Sequence, residues 1–250
     1  MVSLTILLPK RSHGFNTGID RYANELSAFL KKRDDIFMNK TYIPKPSKFE
    51  VLKNLLFNTN KNIVVNNEIV HLVAPIDISH IRVQGNLVTT IHDLCPLILP
   101  QVYPFYMPYI FKRNIKNLIK RNSSFVTNSI STKNDLMSFF EIPEDRIWVT
   151  TLGISDNFLK TDTKTTKNIL NAYKINTDYF LFTGAMNKRK NLKAIIKAFI
   201  SFKEITKSKI KLVLAGRMNW GGSDLEKLVI NKNLQKEVIF PGYIKDQDLP

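Results

Sequence analysis

Short apolar runs alternate with amphipathic segments along almost the whole chain. The apolar runs rich in β-branched residues, which predict buried strands, are 4–9, 68–75, 87–93, 123–129, 146–154, 179–184, 210–216 and 237–242. Segments with apolar residues at helical spacing follow or separate them at 19–30, 106–121, 132–140, 191–204 and 223–230. Because this alternation is typical of βαβ units, the sequence predicts an α/β fold with mainly parallel sheets.

A polar, lysine-rich stretch at 161–172 separates two groups of these elements. The stretch has no clear hydrophobic period, which indicates a linker. A chain of 250 residues is long enough for two modest domains, at roughly 100 to 200 residues per domain. We therefore expect a first domain at 1–160, a linker at 161–172 and a smaller second domain at 173–250.

The composition adds a strong positive charge to this picture. Lys and Arg number 37 against 21 Asp and Glu, and the formal net charge is +16. Such a charge favours polyanionic partners, whether nucleic acid, anionic lipid or phosphorylated substrates, although a generally lysine-rich surface gives the same number. Since no nucleic-acid reading module is recognisable, we expect no nucleic-acid partner.

The sequence also bears on the cellular compartment and on metal binding. It contains no apolar stretch near the roughly 20 residues of a transmembrane helix, and its first residues place apolar positions before charges, unlike a signal peptide. A single cysteine, Cys95, excludes an internal disulfide, and four scattered histidines have no metal-ligand spacing. We expect a cytoplasmic protein without a metal site.

The stretch LVTTIHDLCPLILP ends an apolar run in His92 and Asp93. Pro96 and Pro100 prevent the strand from continuing, so the pair lies at the carboxyl end of a predicted strand. Ligands bind at this edge of open α/β sheets, which makes the pair a candidate site. The alternative is structural: the two side chains bond each other or the backbone and merely end the strand.

A second candidate site lies in the segment FTGAMNKRKNLKAI. A predicted strand ends at Gly184, and Lys188, Arg189 and Lys190 precede a helix that begins at Asn191. Unpaired amides and the positive end of the helix dipole, with three cations beside them, suit a phosphate or diphosphate. The alternative is a solvated basic turn.

The next two predicted strand ends repeat this pattern. One run ends at Gly216 and is followed by Arg217, and the other ends at Gly242 and is followed by Tyr243 and Ile244. Glycine allows a ligand to approach the backbone closely. We therefore expect a nucleotide to lie along this sheet edge.

The predicted helix at 106–121 has two very different faces. Its apolar stripe consists of Met107, Ile110, Phe111, Ile115, Leu118 and Ile119. Lys112, Arg113 and Lys116 lie on the opposite flank, next to the aromatic segment YPFYMPY. Two interpretations stay open: an ordinary core-facing helix with solvated cations, or a surface that binds an anionic membrane.

Five parts of the chain together resemble, in order and spacing, the group 1 family of retaining glycosyltransferases. They are NTGIDRYANEL, VTTIHDLCPLILP, SISTKNDLMSFFEIPEDRIWVTTLGISDNF, FTGAMNKRKNLKAIIKAF, and LVLAGRMNWGG followed by VIFPGYIKDQDLP. The resemblance implies the GT-B architecture, in which two Rossmann-like domains face each other across a cleft. It also implies transfer of a hexose, with retention, from a nucleotide-diphosphate sugar to a glycan or lipid-linked acceptor in polysaccharide biosynthesis.

The same resemblance implies roles for individual residues. Lys190 would neutralise the leaving diphosphate with help from Arg189 or Arg217, and His92 would face the donor sugar. Gly18 would lie near the donor phosphates and the acceptor. The other residues expected to bind substrate are Asp93, Gly184, Asn191, Gly216, Gly242, Tyr243 and Ile244. No metal and no cofactor is implied.

The resemblance finally carries expectations about partners. It implies a GDP- or UDP-linked donor, and the basic helix favours an anionic membrane surface or lipid-linked acceptor at the inner face of the membrane. No glutamate-bearing, glycine-rich segment of the family's kind precedes Pro250, so we expect an incomplete second domain. Three explanations stay open: the domain is truncated here, a second polypeptide completes it, or it is unusually short. The alternative is an inactive remnant or subunit that binds nucleotide sugar or a partner protein.

Overall fold

The computed structural model describes residues 1–9, 17–43, 63–78, 81–155, 158, 162–218 and 223–249. The chain divides into two compact units, Met1–Gly153 and Ile154–Pro250. Each unit contains a parallel sheet with helices in its connections, so the predicted α/β class is confirmed. The observed division follows Gly153, whereas the sequence places the end of the first domain at residue 160.

The described part of the first unit is built on a six-stranded parallel sheet. Its strands are β1 (Val2–Pro9), β2 (Ile36–Ile43), β3 (Ile63–Leu72), β4 (Ile81–Ile91), β5 (Ser124–Thr127) and β6 (Ile147–Val149). Their order across the sheet is β2-β1-β3-β4-β5-β6. The order reverses between β1 and β3, so the carboxyl ends of these strands flank a topological switch point, where α/β sheets bind ligands.

Four α-helices accompany this sheet within the described residues. They are α1 (Gly18–Leu30), α2 (Cys95–Ile98), α3 (Met107–Lys120) and α4 (Ile130–Phe140). The apolar stripe of α3 is core-facing, because Ile115 and Leu118 are fully buried in one cluster with Phe125 of β5. Burial of each such aliphatic side chain contributes about 1.5 to 3 kcal/mol.

Strand β4 is longer than its apolar pattern predicts, because its first half is largely exposed and polar. This half pairs with β3 across an irregularity between Asn66 and Ile69. Gly85 lies there with a φ of 128°, and a Cβ at this position would lie 1.9 Å from the carbonyl oxygen of Asn67. Glycine therefore permits the close approach of the two strands.

The second unit has a three-stranded parallel sheet among its described residues. Its strands are β7 (Tyr179–Thr183), β8 (Lys211–Ala215) and β9 (Val238–Gly242), in that order across the sheet. Its helices are α5 (Thr163–Ala172), α6 (Leu192–Thr206) and α7 (Ser223–Asn231). Ile196 and Phe199 of α6 are buried in one cluster with Leu212 and Leu214 of β8.

The stretch 161–172, which the sequence predicts to be a linker, contains helix α5. Asp162 caps this helix: its carboxylate accepts hydrogen bonds of 2.9 Å from the backbone N–H groups of Lys164 and Thr165. A strong N-cap starts a helix even where the first turn is wholly polar. The helix was not predicted from the sequence because its first turn has no apolar periodicity.

Candidate functional site

The three strands of the second unit end at one edge in glycines with positive φ. The φ angles are 136° at Gly184, 142° at Gly216 and 79° at Gly242. Backbone hydrogen bonds join these ends, because the N–H of Gly184 donates to Ala215 over 2.9 Å and the N–H of Gly216 donates to Gly242 over 2.7 Å. The three strand ends singled out in the sequence therefore lie side by side.

The glycines at this edge differ in what surrounds them. A Cβ at Gly216 would lie 1.9 Å from the carbonyl oxygen of Gly184, so this glycine makes room for the neighbouring strand. A Cβ at Gly184 would meet only the Phe182 ring, at 3.7 Å, and one at Gly242 would meet no described atom within 4 Å. The neighbouring strand therefore accounts for the glycine at position 216, and close approach of a ligand stays a prediction for all three glycines.

The basic loop after β7 is a short 3-10 turn, Lys188–Lys190. Lys188 and Lys190 are exposed, whereas Arg189 is half-buried. Asn191 follows in the left-handed conformation, with φ 49° and ψ 40°, and turns the chain directly into α6. The turn therefore places its three cations immediately before the first turn of a 15-residue helix.

The N-terminus of α6 has no capping side chain and no acidic residue in its first turn. The amide donors of that turn and the positive end of the helix dipole are therefore not neutralised by a carboxylate of this turn. With the adjacent cations, the arrangement suits a phosphate or diphosphate group. Asn191, the predicted first residue of the helix, is exposed beside it.

Arg217, Tyr243 and Ile244 lie at the same edge, directly after β8 and β9, and all three are half-buried. The backbone carbonyl of Arg217 accepts a hydrogen bond of 2.8 Å from the N–H of Met186, which ties the loop after β7 to the loop after β8. The hydroxyl of Tyr243 donates to Asp246 over 3.3 Å. The structure thus brings every predicted residue of the second unit to one sheet edge.

In the first unit, His92 lies directly after β4, as predicted, and is half-buried. Its Nε2 lies 3.0 Å from the carbonyl oxygen of Val73, at the end of β3. Burial lowers the pKa of His92 below its ordinary value, while the Val73 carbonyl and the charge of Asp93 act in the opposite direction. The imidazole is therefore predominantly neutral at pH 7.

Asp93 has a local structural role. Its carboxylate accepts a hydrogen bond of 3.1 Å from the backbone N–H of Cys95, at the start of α2. Both members of the His-Asp pair therefore bond the backbone, as the structural interpretation of this stretch predicts. A role in substrate binding stays a prediction for both residues.

Three residues beside His92 were not among the predicted site residues. The hydroxyl of Tyr22, on α1, lies 3.1 Å from Oγ1 of Thr90, on β4. Oγ1 of Thr90 also lies 2.8 Å from Nε2 of His71, on β3. Burial lowers the pKa of His71 to about 4, so this histidine is neutral at pH 7. A histidine inside an apolar strand was the sequence signal that could have revealed this network.

Gly18 is the first residue of α1, and a Cβ there would meet no described atom within 4 Å. A capping box precedes it: the Asp20 carboxylate accepts from the N–H of Thr17 over 2.8 Å and from its hydroxyl over 2.6 Å. Residues 10–16, which precede the capping box, lie outside the described residues. Contact of Gly18 with phosphate or acceptor stays a prediction.

The three cations predicted on one flank of α3 are not equivalent. Lys112 and Lys116 are exposed. Arg113 instead donates to Asp77 over 2.7 Å, and both side chains are largely buried. The expectation of Arg113 on an exposed basic flank is therefore wrong, because a carboxylate after β3 draws its guanidinium into the unit. Two aromatic side chains near the start of α3, Phe105 and Tyr109, are 93% and 68% exposed.

The part of the chain that the structure describes contains no cluster of three or more His, Cys, Asp and Glu side chains able to hold a metal ion. None of the helices in that part is long and apolar enough to cross a membrane.

Comparison with known proteins places this geometry in context. Residues 165–250 match the family model described as glycosyl transferases group 1. The structure is similar to that of HepE from Anabaena, solved in complex with UDP and glucose, with a TM-score of 0.70 and 13% identity, over 100% of this chain and 71% of that chain. The chain has the GT-B glycosyltransferase fold. The predicted pair of Rossmann-like domains is thus confirmed as a fold.

One further solved structure and two relatives by sequence are also similar to this chain. WaaG, a glycosyltransferase involved in lipopolysaccharide biosynthesis, is similar with a TM-score of 0.67 and 13% identity, over 98% of this chain and 71% of that chain. By sequence, the chain is 25% identical to O-antigen chain mannosyltransferase B of Escherichia coli, over 65% of this chain and 43% of that protein. It is 22% identical to the serotype-specific mannosyltransferase WbdA of Escherichia coli, over 63% of this chain and 20% of that protein. The alignments thus span less than half the length of either mannosyltransferase.

Proposed function

We propose that this chain is a glycosyltransferase that moves a hexose, with retention and without a metal, from a GDP- or UDP-linked sugar to a glycan or lipid-linked acceptor. The match of residues 165–250 to the group 1 family and the fold of the whole chain support a sugar transferase. The names of both Escherichia coli relatives favour mannose as the hexose. A HepE structure in complex with UDP-glucose supports a nucleotide sugar as the donor class.

The observation that carries this proposal is the N-terminus of α6. Lys188, Arg189 and Lys190 precede a helix whose first turn has no capping side chain and no acidic residue. A diphosphate placed there would receive backbone N–H donors and the positive end of the helix dipole together. The half-buried Arg217 lies at the same sheet edge and can assist.

Cleavage of a glycosyl phosphate bond generates negative charge on the leaving diphosphate as the sugar acquires oxocarbenium character. Fixed donors that meet this charge stabilise the transition state more than the ground state. One well-placed donor of this kind typically contributes about 3 to 4 kcal/mol, or 10²- to 10³-fold in turnover. We assign this role to Lys190, with Arg189 in support, and assign to His92 a hydrogen bond to the donor sugar.

Calorimetric titration with UDP, GDP and ADP tests the donor site. We expect one nucleotide to bind in preference to the others, and Lys190→Ala to weaken that binding at least tenfold. Lys197→Ala is the matched control, because Lys197 is an exposed lysine further along the same helix. Equal affinities for the Lys190→Ala variant and the wild type would contradict the site.

Transfer assays with GDP-mannose and UDP-glucose then test catalysis. We expect Lys190→Ala to lower turnover by about 10²- to 10³-fold while the circular dichroism spectrum stays unchanged. Nuclear magnetic resonance of the anomeric proton in the first product decides between retention and inversion. Activity that survives dialysis against EDTA supports the metal-independent step, and activity restored only by added Mg²⁺ or Mn²⁺ contradicts it.

We further propose that the chain binds anionic membranes peripherally, at the cytoplasmic face, through the start of α3. Exposed cations and exposed aromatic rings occur there together, at Lys112, Lys116, Phe105 and Tyr109. Cations favour anionic headgroups, and aromatic rings partition into the interface between headgroups and acyl chains. Arg113 is left out of this surface because it is paired with Asp77.

Sedimentation with vesicles tests this surface. We expect binding to phosphatidylglycerol vesicles to fall with salt. It should drop at least about 30-fold in the Lys112→Glu, Lys116→Glu double variant, at about 1 kcal/mol for each lost cation. The double variant Lys164→Glu, Lys167→Glu, on exposed positions of α5, makes the same change in net charge and is the control. Equal loss in both double variants would indicate an effect of net charge and contradict a specific surface.

A further inference from the structure

The imidazole of His92 is restrained by a backbone acceptor. Its Nε2 lies 3.0 Å from the carbonyl oxygen of Val73. A carbonyl oxygen can only accept a hydrogen bond, so Nε2 must carry a proton. In the neutral ring the other nitrogen, Nδ1, is then unprotonated and can only accept.

The ring of Tyr22 packs against the ring of His92. The two centroids lie 5.0 Å apart and the planes meet at 86°, an edge-to-face contact. Tyr22 is itself anchored, because its hydroxyl bonds Oγ1 of Thr90, a buried residue of β4 two positions before His92. His71 of the neighbouring strand bonds the same oxygen from a second direction.

The backbone of His92 is held by a different element. The hydroxyl of Thr132, in the first turn of α4, donates to the His92 carbonyl over 3.3 Å. Ser129, the N-cap of α4, accepts from the N–H of Thr132 over 3.2 Å and so keeps that turn in place. Removal of the Tyr22 ring would therefore leave the imidazole held through Nε2 alone, while the backbone of His92 stays where it is.

We propose that Tyr22 is a positioning residue that keeps His92 in the Nε2–H tautomer and in one ring orientation, so that Nδ1 accepts a hydrogen bond from a sugar hydroxyl. The sugar as ligand rests on the proposed function, whereas the tautomer and the orientation belong to the free protein. An acceptor at Nδ1 selects for a hydroxyl at that point of the sugar and against a deoxy sugar. This specificity depends on Tyr22 through its contact with the His92 ring.

The tautomer is measured directly in chain labelled with ¹⁵N-histidine. Two-bond ¹H–¹⁵N correlation spectra distinguish Nε2–H, Nδ1–H and averaged imidazoles, and the His92→Gln variant assigns the signal. We expect Nε2–H in the wild type and an averaged pattern in Tyr22→Leu, which removes the ring. Tyr22→Phe keeps the ring and should retain the Nε2–H pattern. Tyr42→Leu, at an exposed tyrosine on β2, is the control.

The kinetic test uses the same variants. We expect Tyr22→Leu to lower kcat about tenfold or more, with a much smaller change in KM for the donor, because misplaced groups cost catalysis more than binding. Tyr22→Phe should restore most of kcat. The wild type should prefer the natural sugar to its deoxy analogues, and Tyr22→Leu should lose part of that preference.

Two results would overturn the proposal: a wild-type His92 in the Nδ1–H form, or an unchanged Nε2–H pattern in a folded Tyr22→Leu chain. If Tyr22→Leu does not fold, Tyr22→Met, which fills the space with a flexible side chain, decides in the same way. If the wild type transfers no sugar, the proposed function fails, but the spectra of the free protein still decide whether Tyr22 positions His92.

Discussion

Helices α1 and α6 each follow the first strand of their unit, yet their N-termini are electrostatic opposites. At α1, Thr17 and Asp20 form a capping box, and a carboxylate bonds the backbone at the start of the helix. At α6 the position equivalent to Asp20 is Ala194, no side chain caps the helix, and three cations precede it. The helix after the first strand thus has a carboxylate in its first turn in the first unit. The corresponding helix of the second unit has no carboxylate in its first turn.

This difference teaches which end is suited to bind an anion from solution. A helix N-terminus that already holds a carboxylate gains little from a phosphate, because its donors and its dipole are partly satisfied. An uncapped N-terminus next to lysine and arginine gains from both. The residues at the N-cap and in the first turn, rather than the fold, therefore make the second unit the better place for the proposed diphosphate.

The largest expected effect is a difference in stability between alanine substitutions of one glycine in each unit. Gly216→Ala should destabilise the second unit by at least about 3 kcal/mol, because the new Cβ would lie 1.9 Å from the Gly184 carbonyl oxygen. Gly18→Ala, in open space at the start of α1, should instead be neutral or stabilise by up to about 1 kcal/mol. Thermal unfolding followed by circular dichroism measures both. Similar melting temperatures for the two variants would refute the distinction.

The second effect concerns acid stability, since all four histidines lie in residues 1–153. The pKa of His71 is about 4 in the folded chain, below its ordinary value, so the unfolded chain binds a proton at a higher pH than the folded chain does. The free energy of unfolding should therefore fall by up to about 3 kcal/mol as the pH drops from about 6.5 to 4. Urea denaturation at both pH values, compared between the wild type and His71→Gln, isolates this contribution. It would be refuted by equal pH dependence in the two proteins.

The smallest expected effect comes from substitutions that make the N-termini of α1 and α6 more alike. Asn191→Asp places a carboxylate at the start of α6 and should weaken nucleotide binding about tenfold, by about 1.4 kcal/mol of added repulsion. Asp20→Asn should lower the stability of the first unit by about 1 kcal/mol through loss of the capping box, and should change nucleotide affinity less. Titration calorimetry measures the nucleotide affinity, and denaturation measures the stability. An Asn191→Asp variant with wild-type affinity would contradict a diphosphate at α6.

Much of the fold follows from the order of apolar and amphipathic segments. Strand β2, which pairs with β1 at the edge of the first sheet, was not predicted. Two further parts escaped prediction because their sequence lacks a hydrophobic period: the exposed first half of β4 and the polar first turn of α5. Pairing across the bulge at Gly85 and capping by Asp162 stabilise them instead. Neither interaction produces a periodic pattern, so a reading of periodicity could not find them.

The candidate site divides in the same way. Lys188, Arg189, Lys190 and Asn191 are adjacent in sequence, so their meeting at a helix start is visible without a structure. The network around His92 joins Tyr22 and Thr90, which are 68 positions apart, and His71 and Thr90, which are 19 apart. His71 inside an apolar run is the one local sign of this network, and that sign does not identify the partners of His71.

By itself, the sequence determined the α/β class, the glycines at three strand ends and the run of cations before α6, because burial periodicity and local charge are properties of neighbouring residues. Only the tertiary structure decided that Gly216 serves a neighbouring strand, that Arg113 pairs with Asp77, and that Val73 holds the Nε2 of His92. These three facts depend on which distant segments pack together. Packing of that kind is set by the whole fold and not by any single stretch of the chain.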